Sequence, residues 1–178
     1  GSQALPGKIL EEHLLDRRAQ VALGRQVALK LKHGRRIGLS RLMAKSMSRR
    51  LPEDAALLIP VPLHRWRIWH RGFNQSMLVA RHLSASSGLP ALSAILTRKK
   101  ATPMLGGLGR KERAKAVRGA FAVAADHRAT LRDKHVVLVD DVYTSGATAN
   151  ACALALKRAG AARVTVLCWA RVLAKDSD

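Results

Sequence analysis

Two adjacent carboxylates, Asp140 and Asp141, stand in the stretch VVLVDDVYTSGAT at residues 136–148, followed by the hydroxyls of Thr144, Ser145 and Thr148 with Gly146 among them. This set suits phosphate chemistry. A helix that begins after a hydroxyl- and glycine-rich turn leaves backbone N–H groups unpaired and carries partial positive charge, so Thr144, Ser145, Gly146, Ala147 and Thr148 can hold a phosphate. Two carboxylates at the end of an apolar run are costly unless a cation or hydrogen-bond donors meet them. The plainer account of the same turn is a helix cap supplied by Thr144.

A second concentration of reactive side chains lies at residues 63–75. LHRWRIWHRGFNQ packs three arginines, two histidines and three aromatic residues into thirteen positions. Interleaved arginine and aromatic side chains can stack the bases of a single strand. Equally, arginines such as Arg65 and Arg71 can clamp a pyrophosphate through paired N–H bonds while the aromatics pack locally.

Both clusters need elements to position them. Val136–Val139 is apolar, mostly β-branched and uncharged, as in a strand buried on both faces of a parallel sheet, and ligands of open α/β sheets bind at the carboxyl ends of such strands. Ala149–Ala159 has helical composition. Upstream, Ala55–Val61 reads as a short buried strand ended by Pro60 and Pro62, and Asn74 as the cap of a helix to about Ser86. Helices are expected over Gln20–His33, stopped by Gly34, and over Gly38–Leu51, with Leu39, Leu42, Met43 and Met47 inward and Arg41, Lys45 and Arg49 outward. Further strands are expected at Leu92–Leu96, Ala120–Val123 and Arg163–Trp169. Residues 98–118 are basic, carry Gly106, Gly107 and Gly109, and show no long apolar period. These patterns define an α/β fold, a mostly parallel sheet flanked by helices, with residues 1–19 as an N-terminal arm and 20–178 as a single domain.

Composition narrows the class. The 178 residues are 48% hydrophobic but only 3% aromatic, so the core must be built from Ala, Val, Leu and Ile. No apolar run has the length of a membrane span and no secretory signal is evident. Cys152 and Cys168 show neither CxxC spacing nor a nearby His, which suits reduced core residues of a cytoplasmic protein. Lys and Arg number 32 against 12 Asp and Glu, a net charge of +20 that attracts polyanions. Nucleic acid, a small substrate rich in phosphate, and a merely solvated surface all satisfy that balance.

PVPLHRWRIWHRGFNQ, together with the 136–148 string, resembles the ComF family of phosphoribosyltransferase-like proteins, which is associated with competence for DNA uptake. LKHG at 31–34, RKKATP at 98–103, ERAKAVRGAF at 112–121 and GAARVTVLCWARV at 160–172 extend the resemblance over nearly all of residues 25–173, and RGFNQ is its most specific element. The resemblance implies a type I phosphoribosyltransferase fold and phosphoribosyl pyrophosphate as ligand. In those terms Asp140 and Asp141 are the catalytic pair that orients the ribose hydroxyls and holds Mg2+, directly or through water. Residues 144–148 take the 5′-phosphate, and His64, Arg65 and Arg71 take the pyrophosphate. Residues 98–118 correspond to a mobile basic hood that would exclude water from the reacting centre. The implied activity is transfer of ribosyl 5-phosphate to a nitrogen nucleophile. Two other readings fit the same residues: a single-stranded nucleic-acid-binding competence factor that has lost transfer activity, and a sensor of phosphoribosyl pyrophosphate. Single-stranded DNA, other competence proteins and further copies of the chain are the corresponding partners. Many ComF proteins carry a cysteine-rich zinc module; this sequence shows none, so no zinc is expected. Met104 and Ala116 stand where some members have Gln and Asn.

Overall fold

Val136–Val139 is the middle of a nine-residue strand, β5 (His135–Tyr143), and all four of its residues are fully buried. In the computed structural model, which describes residues 11–14, 36–63, 73–100 and 109–171, β5 lies between β2 (Leu57–Pro60) and β6 (Arg163–Arg171). Strand β1 (Glu11–Leu14) pairs with the far edge of β6, and every pairing in this sheet is parallel. Four residues of the segment assigned from sequence to the N-terminal arm are therefore part of the sheet. Their short mixed-charge pattern carries no strand period, because an edge strand is held by its neighbour's ladder rather than by its own apolar content.

The sheet is covered on both sides, which is why β5 does not alternate between apolar and polar residues. Val137 and Val139 face one layer with Leu58 and Leu167, against Met43 and Met47 of α1 (Arg36–Ser48) and Val79, Ala80 and Leu83 of α2 (Gln75–Ser87). Val136 and Leu138 face the other layer with Val164 and Val166, against Cys152, Ala153 and Leu156 of α5 (Ala147–Arg158). That second layer also holds β3 (Leu96–Arg98) and β4 (Phe121–Val123), an antiparallel pair apart from the main sheet. Helix α3 (Arg110–Val117) and a single turn, α4 (Arg128–Leu131), flank it.

Three differences from the sequence reading have physical causes. Leu42, expected inward, is 56% exposed. Met43 and Met47 already fill the α1 face toward the sheet, and Leu42 lies about 100° around the helix from Met43. Strand β2 is shorter than the expected Ala55–Val61: it begins at Leu57, and Pro60, opposite Val139, is its last residue, as it can be where its missing N–H is not required by the ladder. The basic stretch 98–118 contains a real helix, α3, whose Val117 is fully buried although the surrounding sequence lacks an apolar period. Residues 101–108 of that stretch and the expected helix at Gln20–His33 lie outside the described residues.

The amino end of β5 is pinned by a polar network. His135 shares hydrogen bonds of 2.8 Å with Asp54 Oδ1 through Nδ1 and with Thr165 Oγ1 through Nε2, while Arg163 Nη1 donates to Asp54 Oδ2 at 3.0 Å. The hydrogen bond to His135 is the main influence holding the Asp54 carboxyl below its ordinary range, with the His135 and Arg163 charges acting the same way. This joins the approach to β2 with the first turns of β5 and β6, and so sets the register that carries the acidic pair to the opposite end.

Candidate functional site

Asp140 and Asp141 lie inside β5, not beyond it. The ladder with β6 continues to Tyr143, opposite Arg171, whereas pairing with β2 ends when Val61 N–H donates to Val139 at 2.9 Å. From Asp140 onward β5 thus has a sheet neighbour on one side only. The start of α2 enters the space that β2 leaves. Asn74 Nδ2 donates to the Val61 carbonyl at 3.0 Å, and Asn74 Oδ1 accepts from Ser76 N–H at 3.1 Å, so one side chain both caps the helix and ties it to the end of β2. Ser76 Oγ then donates to Asp140 Oδ1 at 3.1 Å.

Asp140 accepts a second bond from the N–H of Asp141 at 3.0 Å, and Asp141 accepts from the N–H of Val142 at 2.8 Å. Although part of Asp140 meets solvent, its carboxyl is held well above the ordinary carboxylate range. Burial is the largest cause and the neighbouring Asp141 charge the next, outweighing the lowering effect of the Asp141 N–H and the Ser76 hydroxyl. A small pocket of about 70 Å³ opens here, lined by Val61, Phe73, Gln75, Ser76, Asp140 and Asp141 among others. Gln75 is 9% exposed; its Nε2 donates to Met43 Sδ at 3.6 Å, and its Oε1 has no hydrogen bond among the described residues. Two carboxylates and an unpaired amide oxygen at one pocket make a surface of acceptors that favours a cation or a donor-rich ligand.

Three residues on, the chain turns. Thr144–Gly146 form the bend and α5 begins at Ala147, two residues earlier than composition suggests, so Ala147 and Thr148 belong to its first turn. Thr144 does not cap this helix. Gly146 occupies the cap position with φ 75°, and no side chain caps the amides that follow. A Cβ at Gly146 would collide with the Tyr143 hydroxyl and come within 2.7 Å of Tyr143 Cζ. Glycine is required there on both counts, since the left-handed backbone and the close ring each exclude a side chain. Tyr143 itself is buried in the core layer of α5, with the Arg171 guanidinium 5.4 Å from its ring centre. Around the uncapped helix start, Thr144 is exposed and Ser145 and Thr148 are half-buried.

The acidic pair and the turn are therefore brought together by one strand and one bend. His64, Arg65 and Arg71, the pyrophosphate candidates, lie outside the described residues, as do the rest of residues 64–72 with Trp66 and Trp69. Ser76 and Gln75 were not singled out by the sequence. The sequence signal for them was the RGFNQ string, which Gln75 ends and Ser76 follows.

A family model described as "Phosphoribosyl transferase domain" matches residues 40–177. The chain belongs to the phosphoribosyl transferase domain family. The ComF assignment agrees with its curated relatives: the chain is 37% identical over 68% of its length to "Competence protein F" of Haemophilus influenzae, and 33% identical over 93% to "DNA utilization protein YhgH" of Escherichia coli O157:H7. It spans 52% and 66% of the lengths of those two proteins. Among solved structures, the glutamine phosphoribosylpyrophosphate amidotransferase of B. subtilis, complexed with ADP and GMP, superimposes with a TM-score of 0.50 over 73% of this chain and 26% of that one, at 21% identity. This is the type I phosphoribosyltransferase fold. In this chain the acidic pair lies in the carboxyl-terminal half of β5, next to the strand-to-helix bend.

Among the described residues no group of three His, Cys, Asp or Glu side chains gathers as a metal cage. Magnesium does not require one: it binds through one or two carboxylates and takes its remaining ligands from water and substrate phosphates. The all-oxygen set of Asp140, Asp141 and the unbonded Gln75 Oε1 fits that habit. No helix among the described residues is long and apolar enough to cross a membrane.

Proposed function

We propose that the chain binds phosphoribosyl pyrophosphate with Mg2+ and transfers its ribosyl 5-phosphate to a nitrogen nucleophile, in the setting of DNA uptake. The observation that carries this reading is the half-buried Asp140–Asp141 pair, with Asp141 five residues before an uncapped helix start at Gly146. The 5′-phosphate would sit on the first amides of α5 with the Thr144, Ser145 and Thr148 hydroxyls around it. The ribose hydroxyls would donate to Asp140 and Asp141, which Ser76 and the backbone of β5 already hold in place.

As the bond from C1 to pyrophosphate breaks, positive charge develops at C1 and is stabilised by the carboxylates beneath it. The nucleophile's nitrogen closes the new bond from the opposite face, and neither carboxylate acts as a nucleophile. Magnesium held by Asp140 and Asp141 would offset the charge of the departing pyrophosphate. His64, Arg65 and Arg71 are assigned to the pyrophosphate on the strength of the family resemblance.

A second reading has its own support. The charge of +20 and the names of the curated relatives favour a chain that contacts single-stranded DNA. Calorimetry with phosphoribosyl pyrophosphate and Mg2+, set beside DNA binding as a function of salt, separates the two in the Arg71→Ala variant. For a pyrophosphate clamp, the variant binds phosphoribosyl pyrophosphate at least tenfold more weakly and DNA unchanged. For a DNA contact, the slope of log affinity against log salt falls by about 0.7 for each single-strand phosphate contact removed. Unchanged phosphoribosyl pyrophosphate binding in Arg71→Ala, with a parent that binds it no better than free pyrophosphate, ends the transferase reading.

A further inference from the structure

A second, wider opening lies away from the acidic pocket. It is a groove of about 690 Å³ walled by α3 and α5, with β4 between them. Its floor is made of methyl groups and short aliphatic chains: Ala114, Ala122, Val123, Ala151, Leu154 and Ala155. Leu154 is 40% exposed, one of two large hydrophobic residues that stand exposed among the described residues. Around this floor stand Arg118, Arg128 and Arg158, all exposed, and none of the three makes an ion pair or side-chain hydrogen bond among the described residues. Among the described residues no carboxylate lines the groove.

We infer that this groove is a docking site for an acidic amphipathic helix of a partner protein. Apolar side chains on one stripe of such a helix would cover Leu154 and the alanines, and carboxylates on its flanks would meet the three arginines. The dimensions agree. Groove-lining residues of α5 run from Ala147 to Arg158, and eleven helical steps cover roughly 16 Å, about three turns of a bound helix.

Nucleic acid fits the arginines but not the floor. Bases in single-strand grooves stack on aromatic faces, whereas the one aromatic residue here, Phe121, is 7% exposed with the Arg98 guanidinium 5.3 Å from its ring centre. A phosphate backbone gains nothing from alanine methyl groups. A second copy of the chain would bring its own excess of positive charge to the arginine rim. An apolar floor inside a ring of unpaired cations is complementary to apolar groups flanked by acids.

The test uses fluorescence anisotropy with the full chain and two labelled three-turn probe peptides. One carries leucines at i, i+4 and i+7 flanked by glutamates; the other keeps every glutamate and replaces the leucines with serine. A single-stranded oligothymidine is the third probe. The leucine peptide should bind at least tenfold more tightly than its serine counterpart. Leu154→Ser and Arg158→Ser, both at exposed positions, should each weaken it at least fivefold without changing the melting temperature. Equal binding of the two peptides, or leucine-peptide binding unchanged in both variants, overturns the proposal. Loss of oligothymidine binding in Leu154→Ser would assign the groove to nucleic acid instead.

Discussion

Replacing Asp140 by Asn should stabilise the unliganded protein and weaken the proposed magnesium-dependent binding. The Asp140 carboxyl is raised by burial and by the Asp141 charge, so its ionised form is unfavourable in the fold when no cation is bound. The two carboxylates line one pocket, and neighbouring unit charges at an effective dielectric near 20 repel by about 2 kcal/mol. Asparagine removes that repulsion and keeps an amide oxygen for the Ser76 hydroxyl and the Asp141 N–H. The two bonds lose their charge assistance, a cost of about 1 kcal/mol. The balance is a gain of about 1 kcal/mol, or about 2–4 °C in melting temperature for a chain of this size.

The pH dependence has a definite sign. An acid raised in the native state binds more protons there than in the unfolded chain, so stability falls as pH rises from the ordinary carboxylate value toward the raised one. The full penalty persists above that. Thermal melts in chelator from pH 4 to pH 8 should show this decline in the parent and a flatter profile in Asp140→Asn. Calorimetry with phosphoribosyl pyrophosphate and Mg2+ should show at least a tenfold loss of affinity in the variant. A variant that melts below the parent in chelator at pH 8, or that keeps its magnesium-dependent binding, refutes the reasoning.

Gly146→Ala should destabilise the chain by about 2 kcal/mol or more in urea unfolding, since it combines a left-handed backbone with a collision against Tyr143. Asn74→Ala removes the cap of α2 and the bond to Val61, and a loss of about 1–2 kcal/mol should appear in the same assay. Because Ser76 reaches Asp140 from that helix start, the variant should also bind phosphoribosyl pyrophosphate more weakly. Leu42→Glu, at a position that helical periodicity assigns to the core, should change stability by no more than about 0.5 kcal/mol.

The chemistry of the site was legible in the local sequence because strand, acidic pair and bend are contiguous. An unbroken apolar, mostly β-branched run at Val136–Val139 determined a buried parallel strand, Asp140 and Asp141 marked the end where a ligand site is proposed, and Gly146 marked the turn. The Asn74 cap was legible for the same reason, as a cap is satisfied within three residues. Other features depended on distant partners. Nothing near Glu11–Leu14 announces a strand, and the edge of β6 decides it. Leu42 satisfied the helical period but lost its place to Met43 and Met47, because only contact with the sheet selects which part of an apolar stripe is buried. The hydrogen bond from Ser76 to Asp140 spans 64 residues and exists because β2 ends one residue before β5 reaches its acids, letting a helix start enter the gap. Residue types and spacing determined which groups could bind a phosphate ester. Where β2 stops, and what enters beside β5, was decided by the packed sheet.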